Sequence, residues 1–91
     1  MSRIAVRVVI AGRAQGVGYR YWAVAEAERH GVDGWVQNRD DGSVEALLAG
    51  PAEAVRAMIS ACRQGPRFAA VAEISEFPAD APDAPGFRQM R

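Results

Sequence analysis

Gly12-Arg13-Ala14-Gln15-Gly16-Val17-Gly18-Tyr19-Arg20 joins two stretches of different periodicity, and that junction decides the architecture. Upstream, Ile4, Val6, Val8 and Ile10 alternate with Arg3, Ala5, Arg7 and Val9, the period-two pattern of a half-buried strand. Downstream, Tyr19, Trp22, Ala23, Ala27 and His30 recur at helical spacing, and Gly31 offers a helix C-cap.

The rest of the chain extends this start. Val32 to Asn38, centred on Trp35 and Val36, reads as a second strand. Asp40-Asp41-Gly42 is a hairpin turn signal, and Ser43 to Ala49 returns as a third strand. Gly50-Pro51 breaks the chain, with Pro51 placed to open a helix whose apolar stripe is Ala52, Val55, Met58, Ile59 and Cys62. Gly65-Pro66 stops it. Phe68 to Phe77 reads as a fourth strand, but Val71, Ile74 and Phe77 fit neither period, so a bulge is expected. Pro78 to Pro85 is a polar, proline-rich loop, and Phe87 to Met90 is expected to add a short edge strand.

The order β-α-β-β-α-β, with a short tail strand, predicts an α+β fold: a ferredoxin-like two-layer sandwich, its antiparallel sheet covered on one face by two helices. A right-handed crossover makes the first two strands parallel with another strand inserted between them. Both then finish on the same edge of the sheet. Arg20 follows the end of the first, Asn38 ends the second, and the two are expected to meet.

Residues 1–91 are expected to form one domain with room for a single modest core. The chain is 49% hydrophobic and 24% charged, and its 11 basic and 11 acidic residues cancel. No overall field then draws it to nucleic acid or an anionic membrane, so any anion site must be local. The lone Cys62 has no internal disulfide partner, which suits a reducing cytosol, and its place in an apolar stripe makes it a core residue. The alternating N-terminus resembles neither a signal peptide nor a membrane span. A cytoplasmic monomer is the expectation.

The glycine-rich junction holds no acidic residue and ends in an arginine. Glycine lets successive backbone N–H groups point into one concavity, the helix adds its positive end, and Arg20 adds a forked, permanently charged donor. The stretch therefore reads as a phosphate cradle. Asn38 has no useful pKa and is no base, but it can accept from and donate to a water and hold it in line with phosphorus. Such a site has no visible general acid, no nucleophilic Ser or Cys, and no carboxylate cluster for a metal. A phosphate monoester would defeat it, because an alkoxide leaving group needs help. An acyl phosphate would not, since a carboxylate leaves unprotonated.

Each part also has a plainer reading. The glycines alone build a tight turn; their spacing matches neither the dinucleotide fingerprint nor the P-loop. Arg20 alone is a surface arginine, and Asn38 alone is a turn former. His30 at a helix end suits a capping or dipole role. Asp40 and Asp41 suit a solvated turn, and a carboxylate there would repel a phosphate. Trp22 and Trp35 suit core or sheet-covering roles, and Met58 belongs to the helix stripe.

Ala14 to Arg20, followed by Gly34-Trp35-Val36-Gln37-Asn38 and Asp41-Gly42-Ser43-Val44-Glu45, resembles the two signatures of the acylphosphatase family. Gly50-Pro51 and Gly65-Pro66 fall where that family bounds its second helix, and the likeness runs from about Val6 to Phe87. The resemblance implies metal-free, cofactor-free hydrolysis of a carboxyl–phosphate bond, releasing a carboxylate and inorganic phosphate. By it, Arg20 binds the phosphoryl group, Gln15, Gly16, Val17, Gly18 and Tyr19 form the amide cradle, and Asn38 orients the water. The substrate's own phosphate is then able to take the water's proton. Ala14 stands where Val is usual and Tyr19 where Phe is usual; a buried Tyr19 hydroxyl needs a partner. The tail from Gly86 to Arg91 matches the usual final strand only loosely. Two other readings stay open: a non-catalytic anion-binding module, such as the remnant of a larger acyl or carbamoyl phosphate enzyme, and an RNA-binding sandwich of the same topology. Neutral charge and the lack of exposed aromatic pairs on the central strands weigh against the second.

Overall fold

In the computed structural model, which describes residues 2–90, strand β1 (Arg3–Arg13) leads through a five-residue loop into helix α1 (Tyr19–His30). Strands β2 (Asp33–Asn38) and β3 (Val44–Pro51) form a hairpin, followed by helix α2 (Ala52–Gln64), strand β4 (Ala70–Pro78) and strand β5 (Phe87–Gln89). The sheet order is β4-β1-β3-β2-β5. β1 and β2 both pair antiparallel with β3, through Val8↔Ala46 and Val36↔Ala46 respectively, so they run in the same direction on either side of it. The expected parallel pair with one strand inserted between them is present.

The sheet is antiparallel through four strands, as expected, and the fifth departs from that pattern. β5 joins β2 in parallel, with Gly34↔Phe87 and Val36↔Gln89, so the complete sheet is mixed. The cause is the loop after Pro78. It carries the chain from the β4 edge to the opposite edge, where it arrives in the direction of β2.

The alternation in β1 sends Val8 and Ile10 into the interior, where they join one core cluster with Val36 of β2 and Val44 and Leu48 of β3. Against them α1 lays Tyr19, Ala23 and Ala27, and α2 lays Val55, Met58, Ile59 and Cys62. Each fully buried side chain of Val or Met size contributes about 1.5–3 kcal/mol by leaving water.

Three local expectations resolve as follows. The fourth strand begins at Ala70, and Phe68 lies in a turn closed by Ala69 N–H donating to the Pro66 carbonyl (3.0 Å). Its bulge exists: Ala11 pairs with Glu73 and Gly12 with Val71, leaving Ala72 unmatched. Pro51 occupies the N-cap of α2 as the last residue of β3, one position before the helix it was expected to open. Met1 and Arg91, included in the expected domain and tail, lie outside the described residues.

Candidate active site

The loop from β1 to α1 needs two left-handed residues, Gly16 (φ 75°) and Gly18 (φ 80°), the second of them the N-cap of α1. A side chain is disfavoured in this conformation, which explains the spacing of these two glycines. Gly18 brings no side-chain cap, and the first turn of α1 has no acidic residue. The first helical bond runs from the Trp22 amide to the Gly18 carbonyl (3.0 Å), leaving the amides of Tyr19, Arg20 and Tyr21 ahead of the helical ladder. An anion at this helix end gains both those donors and the positive pole of the helix.

These groups open on a cavity of about 140 Å³ lined by Ala14, Gly16, Gly18, Tyr19, Arg20, Tyr21, Asn38 and Gln89. Arg20 and Asn38 thus share one cavity, although eighteen positions separate them in the sequence. The Arg20 guanidinium is tethered: its Nη1 donates to the Met90 carbonyl (2.7 Å), and the Met90 amide donates to the Val36 carbonyl (2.7 Å). One corner of the fork is therefore fixed to the tail beside β2, and its other donors are uncommitted among the described residues. The Asn38 carboxamide makes no hydrogen bond among the described residues, so it is free to hold a water.

Not every expected cradle residue faces the cavity. Gln15 and Val17 do not line it. The Gln15 carboxamide instead donates from Nε2 to the carbonyls of Arg39 (2.7 Å) and Ser43 (2.8 Å), bracing the glycine loop against the β2–β3 turn. Tyr19 lines the cavity, and the residue is 2% exposed, with its hydroxyl donating to the Cys62 carbonyl (2.6 Å) in the core. That carbonyl needs the partner. Its helical donor would be residue 66, and Pro66 has no N–H. Burial pushes the Tyr19 phenol well above its usual range and lifts the Cys62 thiol to about 11, so both stay protonated and neither is a nucleophile.

The acidic turn stands apart. Asp40 and Asp41 border a neighbouring hollow with Gln37, Asn38 and Arg39, and they do not line the Arg20 cavity. Asp41 accepts hydrogen bonds from the Ser43 hydroxyl and amide (2.9 Å for the amide), which hold its carboxyl below the usual range; the Arg39 guanidinium 3.9 Å away adds to this. His30 sits at the far end of α1, about 16 Å along the helix at ~1.5 Å per residue, with Nε2 buried and unpartnered among the described residues. The C-cap is made by the backbone, with the Val32 amide on the Ala27 carbonyl (2.9 Å). A hollow of about 360 Å³, floored by Trp35 and Leu47 beneath the 80–84 loop, contains neither Arg20 nor Asn38.

The family model described as Acylphosphatase matches residues 6–89. The chain belongs to the acylphosphatase family. It is 58% identical over 78 residues to the acylphosphatase of Nitrobacter winogradskyi, covering 86% of this chain and 79% of that one. It is 52% identical to that of Rhodospirillum rubrum, covering 98% and 96%. Among solved structures, the Bacillus subtilis acylphosphatase superposes with a TM-score of 0.90 at 36% identity, covering 97% of this chain and 99% of that one. Family and fold together support an enzyme that hydrolyses acyl phosphates, a class of small-molecule substrate. No helix of the described residues is long and apolar enough to cross a membrane.

Sequence reasoning missed Gln89, Met90 and Tyr21. Three residues of strand are too few to show a period, and the Met90 contribution is a backbone carbonyl, which residue type does not reveal. Tyr21 sits one step from a motif residue, and nothing in its own spacing sets it apart.

Proposed function

We propose that this chain hydrolyses the carboxyl–phosphate bond of acyl phosphates without a metal ion, as a single-domain, cytoplasmic monomer. The observation that carries the reading is the shared cavity, where an uncapped helix N-terminus, a tethered guanidinium and an uncommitted carboxamide converge. The amides of the loop and first helical turn, with Arg20, hold the phosphoryl oxygens and stabilise their charge as it redistributes. Asn38 holds a water in line with phosphorus. The water oxygen bonds to phosphorus as the bond to the carboxylate oxygen breaks. The carboxylate departs unprotonated, and a phosphoryl oxygen takes the water's proton. Inorganic phosphate then leaves the same donors.

The donor set itself argues for metal independence, since Arg20 and amide N–H groups repel a divalent cation and attract an anion. Among the described residues no group of three or more His, Cys, Asp or Glu side chains stands close enough to hold a metal ion. The central strands also suit this reading better than RNA binding. β1 and β3 carry no aromatic residue, and Arg7 there is paired to Glu45 at 2.9 Å.

The test is phosphate release from benzoyl phosphate with and without a chelator. Turnover unaffected by chelation is expected, with Asn38→Ala retaining phosphate affinity while losing about 10²–10³ in kcat. Intact phosphate binding without turnover would leave only an anion-binding module.

A further inference from the structure

We propose that Gln89 is a second carboxamide on the attacking water, fixing with Asn38 an orientation that Asn38 alone leaves incomplete. The proposal rests on the hydrolytic reading above and adds a residue to it. Gln89 lines the same cavity as Arg20 and Asn38, and the sheet register gives the direction of its side chain. Gln89 is in register with Val36 across the parallel β2–β5 pair, and neighbours in register project to the same face. Val36 is fully buried in the core beneath the helices, and Phe87, two residues before Gln89, packs against that core. Asn38, two residues beyond Val36, is in register with the buried Val44 and shares the face. Both carboxamides therefore leave the sheet on the helix side, where Arg20 ties the first turn of α1 to Met90.

Reach and chemistry agree with this placement. Asn38 and Gln89 stand on neighbouring strands, offset by two residues, so at ~3.3 Å per residue and ~4.8 Å between strands their backbones are about 8 Å apart. A water bonded to both carboxamides at about 2.9 Å each bridges about 6 Å, within the span of one Asn and one Gln side chain. The Gln89 carboxamide, like that of Asn38, makes no hydrogen bond among the described residues. A water attacking phosphorus aims one lone pair at it and passes one proton to a phosphoryl oxygen. Its second lone pair and second O–H remain to be fixed. The N–H and C=O of one carboxamide diverge, so Asn38 meets one of these and another group must meet the other. Arg20 has no acceptor, and Tyr19 spends its hydroxyl on the Cys62 carbonyl. Gln89 completes the set: one carboxamide donates an N–H to the free lone pair, and the other accepts the remaining O–H.

The experiment compares the parent, Gln89→Met, Asn38→Ala and the double variant by kcat for benzoyl phosphate and by the inhibition constant of inorganic phosphate. Methionine keeps the bulk of the side chain and removes the amide. Gln89→Met should lower kcat about three- to tenfold, the worth of one neutral hydrogen bond, and leave phosphate inhibition within about twofold. In the Asn38→Ala background the same substitution should cost less than about twofold, because the water it completes is no longer held. An unchanged kcat in Gln89→Met overturns the proposal. So does a matching loss of phosphate inhibition, which would place the carboxamide on the phosphoryl group. Equal falls in both backgrounds also overturn it, since Gln89 would then act independently of the water that Asn38 holds. No turnover in the parent would sink the hydrolytic reading and this role with it, whereas an active parent with an unaffected Gln89→Met sinks the role alone.

Discussion

Replacing Arg20 by lysine keeps the charge and removes the fork. In the parent one guanidinium N–H is spent on the Met90 carbonyl at 2.7 Å, and that carbonyl is itself held by the 2.7 Å bond from the Met90 amide to Val36. The tether leaves the other guanidinium donors free to meet two phosphoryl oxygens at once. A lysine ammonium is a compact point donor on a flexible stem and cannot serve the tail carbonyl and two phosphoryl oxygens together. At least one charge-assisted bond is lost, worth about 1.5–3 kcal/mol, and ~1.4 kcal/mol is a factor of ten. Arg20→Lys should therefore lower kcat/KM by about ten- to a hundredfold. Arg20→Ala loses the charge and every bond and should lower it by about a thousandfold or more. The assay is steady-state phosphate release from benzoyl phosphate, with the inhibition constant of inorganic phosphate measured alongside. Both variants should weaken phosphate inhibition, unlike Asn38→Ala. A lysine variant within about threefold of the parent would refute the forked contact.

Tyr19→Phe removes the donor to the Cys62 carbonyl, which Pro66 cannot replace; an unsatisfied buried group costs about 1–3 kcal/mol. At about 4–8 °C per kcal/mol, Tm should fall by at least ~4 °C in a thermal melt, and an unchanged Tm would show that the carbonyl needs no partner. Gln15→Ala cuts both ties between the glycine loop and the β2–β3 turn. It should raise KM about three- to tenfold, although this side chain does not line the cavity; an unchanged KM would mean that the loop holds its shape alone. Burial raises the Cys62 thiol from its ordinary 9.0 to about 11, so its neutral form is favoured in the folded state. The associated stability, of the order of 2 kcal/mol, is complete below pH ~9 and is lost as pH rises through ~11. Urea midpoints should decline across that window in the parent and less steeply in Cys62→Ala, whereas parallel declines would remove the thiol from the account.

Periodicity and handedness made most of this fold legible. The alternation in β1, the apolar stripe of α2 and the glycine stops between elements each act over neighbouring residues, so a linear reading detects them. The right-handed crossover then brought Arg20 and Asn38 to one edge without any coordinate. What escaped the sequence acts at long range or through the backbone. The parallel placement of β5 depends on where a proline-rich loop can travel, which three residues of strand do not encode. Gln15 shows the same limit from the other side: its position in the signature marks it as important, but the bonds it makes lie 24 and 28 residues away and brace the loop rather than face the cavity. A motif identifies which residues must stay together, and the fold divides the work among them. At this site the donors that face the cavity come from Arg20, the backbone around it and the Asn38 carboxamide, while Gln15 braces the loop and Met90 tethers the guanidinium.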